Sequence, residues 1–149
     1  MQSYIAYLRV STTRQGSTGV SLDEQRLAIR HYATLHNLTI TRWYTEIHSA
    51  SRRRPIFDEL IQSLRSGKTK GLLVHKIDRG ARSLGDWARL GELIDQGVDV
   101  HFVHDDLDLR SRGGRLAADI QAVIATDYTR NLREETLKGM LLLNHLLMD

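Results

Sequence analysis

Extended and helical patterns alternate along this one short chain. They predict a doubly wound α/β domain built on a four- to five-stranded, mainly parallel sheet. Apolar runs of strand length recur between stretches with helical spacing, and capping or glycine-containing segments mark the junctions. Strand–helix–strand order also requires crossover connections, which place helices on both faces of a parallel sheet.

Residues 4–10 read as the first strand and the polar, glycine-containing residues 11–20 as a loop. Ser21 and Glu24 form a capping box. It opens a helix to about residue 36, with Leu22, Gln25, Leu27, Ile29 and Ala33 setting an amphipathic period. Residues 38–44 alternate as a second strand, and 45–54 form a loop. Pro55 suits the first turn of a helix whose apolar positions are Ile56, Leu60, Ile61 and Leu64. Ser66 and Gly67 stop it. Residues 71–75 are a short apolar strand of the fully buried type. Ser83 caps a helix that turns Leu84, Trp87, Leu90, Leu93 and Ile94 inward and ends near Gly97, and residues 98–103 form the fourth strand.

The segment from 113 to 149 differs. Leu116, Ile120, Val123, Ile124, Tyr128 and Leu132 recur at helical spacing without a proline. A helix of ~35 residues spans ~50 Å, longer than a domain of this size is wide. The expected organisation is an α/β body over residues 1–112. Residues 113–149 form a long helix of the same domain that reaches a partner.

Composition narrows the function classes. The 149 residues amount to one domain, and 41% hydrophobic residues suffice for a core. The absence of cysteine excludes a disulfide framework, a thiol nucleophile and any cysteine-ligated metal. The amino-terminal stretch is not that of a secretory signal, and the longest apolar stretch is far short of the ~20 residues of a membrane span. A soluble cytoplasmic protein with no membrane partner is expected. The net charge is only +3, yet 17 of the 21 basic residues are arginine. Arginine binds phosphate with a rigid two-pronged fork, so the balance leans towards a phosphate-bearing partner.

Ligands of doubly wound sheets bind beyond the carboxyl ends of the strands. There the first strand carries Arg9 and Ser11, the second is followed by Ser49, Ser51, Arg52, Arg53 and Arg54, and the third by Asp78, Arg79 and Arg82. No dinucleotide fingerprint follows the first strand and no phosphate-binding P-loop occurs, which argues against a flavodoxin-like or nucleotide-binding domain. A hydroxyl among guanidinium groups fits chemistry on a phosphodiester, where cations offset charge developing in the transition state. His101 and His104 would fall on opposite faces of a strand and make no metal pair.

The strings YLRVST from Tyr7, SLDEQ from Ser21, Arg54-Pro55 and DRGAR from Asp78 together resemble the catalytic domain of the serine recombinases, the resolvase/invertase family. The polar insertion before Ser21 and the Arg82-Ser83-Leu84 continuation are closer in style to the large serine integrases and transposases. The resemblance implies a resolvase-like fold and a DNA strand transferase, encoded by a prokaryote, a phage or a mobile element. Ser11 would be the nucleophile, forming a 5′-phosphoseryl link to double-stranded DNA. Arg9, Arg54, Arg79 and Arg82 would hold the phosphate oxygens, and Asp78 would orient them. Tyr7, Gln25 and Glu134 would support the site. The resemblance also implies no metal, no nucleotide cofactor, and a homo-oligomer, a dimer that acts as a tetramer. Arg52 and Arg53 have no family counterpart and read as surface residues. No DNA-binding domain is recognisable in the chain, and residues 141–147 depart from the polar, basic run expected there. A rival reading is therefore a non-catalytic oligomerisation or regulatory remnant on the same fold.

Overall fold

The computed structural model describes residues 2–11, 21–48, 54–125 and 127–147, without the side chains of Ser11, His48 and residues 127–136. In chain order the elements are β1 (Ser3–Ser11), α1 (Leu22–Leu35), β2 (Thr39–His48), α2 (Pro55–Arg65), β3 (Gly71–Val74), α3 (Ile77–Gly80), α4 (Leu84–Asp95), β4 (Asp99–Phe102), α5 (Arg112–Ala125) and α6 (Asp127–Leu147). The four strands pair in the order β2-β1-β3-β4, all parallel. This is the doubly wound α/β fold that the alternation predicts. Among the described residues, no helix is long and apolar enough to cross a membrane.

Strand alternation divides the core in two. Ile5, Tyr7, Leu72, Val74, Val100 and Phe102 pack with α2 and α4 side chains, and with Ala118 and Ala122 of α5. Tyr4, Ala6, Leu8 and Leu73 pack on the other face with Ile29 and Ala33 of α1. Two helix starts follow the capping logic: Ser21 Oγ accepts from the Glu24 amide at 3.1 Å, and Ser83 Oγ from the Asp86 amide at 3.1 Å. Gly97, at φ 103°, follows α4 in a conformation that favours glycine.

Three local expectations need correction. β2 runs to His48, four residues past its expected end, because Thr45, Glu46, Ile47 and His48 stay in register with residues 8–11 of β1. Leu27 does not belong to the buried face of α1: it is 71% exposed, whereas Gln25 is fully buried. A one-turn helix, α3, occupies the Asp78–Arg79 motif.

The carboxyl-terminal helical segment is two-faced. α5 turns the small Ala118 and Ala122 into the core and leaves Leu116, Ile120, Val123 and Ile124 exposed. Docking is fixed by Trp87 Nε1, which donates to Asp119 at 2.8 Å, and by Arg115, whose Nη1 donates to Asp95 at 2.9 Å.

The register also explains one glycine. A Cβ at Gly71 would stand 1.9 Å from the Asp99 carbonyl oxygen and 2.8 Å from the Tyr4 ring. Gly71→Ala must therefore push β4 away from β3. A loss of about 1–3 kcal/mol is expected, the usual scale of overpacking, seen as a lower urea midpoint. An unchanged midpoint would contradict this register.

Candidate active site at the carboxyl edge of the sheet

β3 stops at Val74 while β1 continues to Ser11, so the end of β1 outruns its neighbour on that side. Gln25 fills the gap left on β1. Its Nε2 donates to the Arg9 carbonyl at 3.0 Å and its Oε1 accepts the Arg9 amide at 3.3 Å. A buried side-chain amide thus replaces a strand neighbour and satisfies both backbone groups. Arg9 is held in place by this pairing, and its Nη2 donates to the Asp78 carbonyl oxygen. The motif around Asp78 and the end of β1 therefore meet. Burial, together with the nearby charges of Arg54 and Arg79, lowers the Arg9 pKa.

Behind Arg9 lies a buried polar network. Arg54 is 5% exposed, and its guanidinium sits between two carboxylates. Nη1 donates to Asp86 Oδ2 at 2.6 Å, Nη2 donates to the Tyr7 hydroxyl at 2.8 Å and to the Gly80 carbonyl at 3.4 Å, and Nε lies 3.6 Å from Glu46 Oε1. The Phe57 ring lies 4.3 Å below the guanidinium carbon. The Tyr7 hydroxyl in turn donates to Glu46 Oε1 at 2.5 Å, and burial raises the tyrosine's pKa so that it stays a neutral donor. Asp86 Oδ2 also accepts the Arg82 amide at 3.1 Å.

The structure thus brings Tyr7, Arg9, Gln25, Arg54, Asp78, Arg79 and Arg82 to one end of the sheet. Ser11 is the last residue of β1, in register with His48, and its side chain lies outside the described residues. Glu134 falls in α6, where its side chain is likewise not described. Ser49, Ser51, Arg52 and Arg53 also lie outside the described residues.

Sequence reasoning missed the importance of Glu46. Its Oε2 accepts the Ile56 amide at 3.0 Å and its Oε1 the Phe57 amide at 3.2 Å, so it caps α2 from a distance. Arg54 occupies the N-cap of α2 and makes no side-chain cap bond, so the helix start is satisfied from β2 instead.

A second polar cluster sits at the opposite, amino end of the strands. Asp99 accepts from the Tyr4 hydroxyl at 2.5 Å, bonds His101 Nε2 at 2.8 Å, and pairs with Arg110 at 3.1 Å. Tyr32 completes the chain to His101 Nδ1 at 2.8 Å. Burial pushes the Asp99 pKa up, but these hydrogen bonds and cations outweigh it and hold the carboxyl below its ordinary value. A cavity of about 910 Å³ opens beside this cluster and shares no residue with the Arg9 site. His101 and His104 do serve separate surroundings: the first bonds Asp99, while the second packs against His75.

Comparison with known proteins identifies the family of this fold. The family model described as "Resolvase, N terminal domain" matches residues 4–143. The chain is 28% identical over 127 residues to the Transposon Tn917 resolvase of Enterococcus faecalis, covering 84% of this chain and 67% of that protein. It is 30% identical over 134 residues to the Transposon Tn3 resolvase of Escherichia coli, covering 89% and 67%. Among solved structures it is similar to the N-terminal catalytic domain of TP901-1 integrase, with TM-score 0.68, 29% identity, and 89% and 99% of the two chains covered. It is also similar to a resolvase family site-specific recombinase from Streptococcus pneumoniae, with TM-score 0.69, 25% identity, and 97% and 99% covered. Fold, motif order and relatives agree: the chain belongs to the resolvase N-terminal domain family, the catalytic domain of the serine recombinases.

Proposed function

We propose that this domain cleaves and rejoins DNA by site-specific strand transfer through Ser11. The observation that carries the reading is the meeting of Arg9, two residues before Ser11 on β1, with the Asp78–Arg79 turn. The Ser11 oxygen attacks the phosphorus, an O–P bond forms, and the bond to the 3′ oxygen breaks. The serine proton leaves and the departing oxygen gains one, so the products are a 5′-phosphoseryl link and a 3′-hydroxyl. The ester bond is conserved in the link, and rejoining therefore needs no nucleotide.

The residues divide the work. Arg9, Arg79 and Arg82 stabilise the phosphorane and favour loss of the serine proton. Asp78 holds Arg9 through its backbone carbonyl and orients the arginine cluster, with its carboxylate available as a proton acceptor. Arg54 is placed to act from behind, because its guanidinium is committed to Asp86 and Tyr7. Gln25 and Tyr7 hold Arg9 and Arg54, and Glu134 contributes from the long helix. The partners are double-stranded DNA and further copies of the chain, assembled as a dimer and active as a tetramer. A purely associative remnant would need the exposed α5 stripe, but it would have no use for the Arg9–Asp78 contact.

On a nicked suicide substrate carrying a family site, a covalent adduct is expected in denaturing gels. It should form in EDTA, vanish in Ser11→Ala, and form about 10²-fold more slowly in Arg79→Ala or Arg82→Ala, the scale for losing one transition-state donor. An adduct that persists in Ser11→Ala overturns the mechanism.

The chain alone should bind duplex DNA through phosphates without reading sequence, with Kd on the order of 10⁻⁴–10⁻⁶ M at physiological salt. Anisotropy should show affinity falling steeply with salt. Tight selection of one sequence would contradict it.

Leu116, Ile120, Val123 and Ile124 form one exposed stripe and should join subunits. Ile120→Asp with Ile124→Asp should lower the mass seen by light scattering. A parent that is already monomeric at ~100 μM, far above a ~1 μM association scale, defeats this reading.

A further inference from the structure

His75 follows the last residue of β3 and is 6% exposed, yet its Nδ1 meets no hydrogen-bond partner among the described residues. Arg79, four residues on, has its Nε buried in the same condition. A neutral imidazole carries one acceptor nitrogen, and a guanidinium Nε–H can only donate. Two complementary groups are therefore buried and unspent on one short turn. Leaving both so is costly unless the turn has a second arrangement in which they meet.

We propose that His75 is a positioning residue: its neutral imidazole accepts the Arg79 Nε–H, so that the two outer nitrogens of Arg79 face the DNA phosphate as a fork. This deepens the strand-transfer reading and rests on Arg79 being a phosphate-binding residue.

The groups around the imidazole favour the accepting form. The His104 ring, from the residues after β4, packs 5.4 Å away between centroids. The ionisable groups acting on His75 are His104, Lys76, Arg79 and Asp78. Burial comes first and His104, Lys76 and Arg79 follow in lowering the His75 pKa below its ordinary 6.5, while Asp78 acts the other way. The ring thus stays neutral through physiological pH. Once protonated, both its nitrogens donate, the acceptor is lost, and a positive charge faces Arg79. Asp78 is the competing acceptor, because its Oδ1 is also buried without a partner.

The test is a nitrogen-15 NMR titration from about pH 8 to about pH 4, chosen to cross the histidine range, on the whole chain with and without a random-sequence DNA duplex. With duplex, the Arg79 Nε–H is expected to exchange slowly at neutral pH and to shift with the same midpoint as the His75 ring, below 6.5. His75→Gln keeps an acceptor at every pH, so protection should remain and the midpoint disappear. His75→Ala should speed exchange about tenfold, the loss of one hydrogen bond. An Arg79 signal indifferent to His75, or one that changes in Asp78→Asn and not with the His75 ring, overturns the proposal, and the unmutated chain alone decides the first if a variant fails to fold. The outcome is separable from the Ser11 test. An absent adduct with Arg79 still following His75 would remove the strand-transfer reading and keep this contact.

Discussion

Arg54 is the tie on which the carboxyl edge of the sheet depends. One buried guanidinium joins Tyr7 on β1, Glu46 on β2, Gly80 at the end of α3 and Asp86 in the first turn of α4. A buried cation is stable only when its charge and its donors are matched, and removing one partner from such a pair costs about 3–5 kcal/mol. Each carboxylate has a second task as well. Glu46 caps α2, and Asp86 accepts the Arg82 amide. The placement of α2, the Arg82 backbone and the Tyr7 ring therefore follows from one electrostatic balance. This also distinguishes Arg54 from Arg9: Arg54 organises from within, whereas Arg9 is only half-buried and stands two residues before Ser11 on β1.

Much of the fold was legible because burial imposes periodicity. β1, β3 and the inner faces of α2 and α4 are apolar at the positions that pack, and Ser21 and Ser83 announce their helices. The errors arise where another force replaces burial. The end of β2 is polar and alternates weakly, since its order comes from backbone pairing with β1 and from the Glu46 network. Leu27 fits the helical spacing but faces outward, and a polar residue, Gln25, takes the inner position because β1 needs a donor and an acceptor there. No hydropathy pattern can express that need. The candidate site residues were singled out by resemblance to a family more than by local physics. Glu46 went unread because a carboxylate that caps a helix nine residues downstream leaves no short-range pattern.

The charge at the site is arranged unevenly. Arg9 feels Arg54 and Arg79, and like charges held together raise the free energy of the empty site. On the strand-transfer reading proposed above, a dianionic transition state would relieve part of that repulsion. Arg54 contributes to this field while its own charge is locally balanced by Glu46 and Asp86. The arrangement keeps positive potential at this edge of the sheet although the Arg54 charge is locally matched.

α5 turns alanines inward and large aliphatic side chains outward, the reverse of a helix stabilised chiefly by its own domain. Its contact with the body is shallow, and most of the apolar area it could bury lies on the side away from that body. Any copy that covers the outer face binds the folded chain and not the unfolded one, so mass action raises apparent stability with concentration. Under the subunit association proposed above, the melting temperature would belong to a stated protein concentration, and dilution would loosen this helix without chemical denaturant.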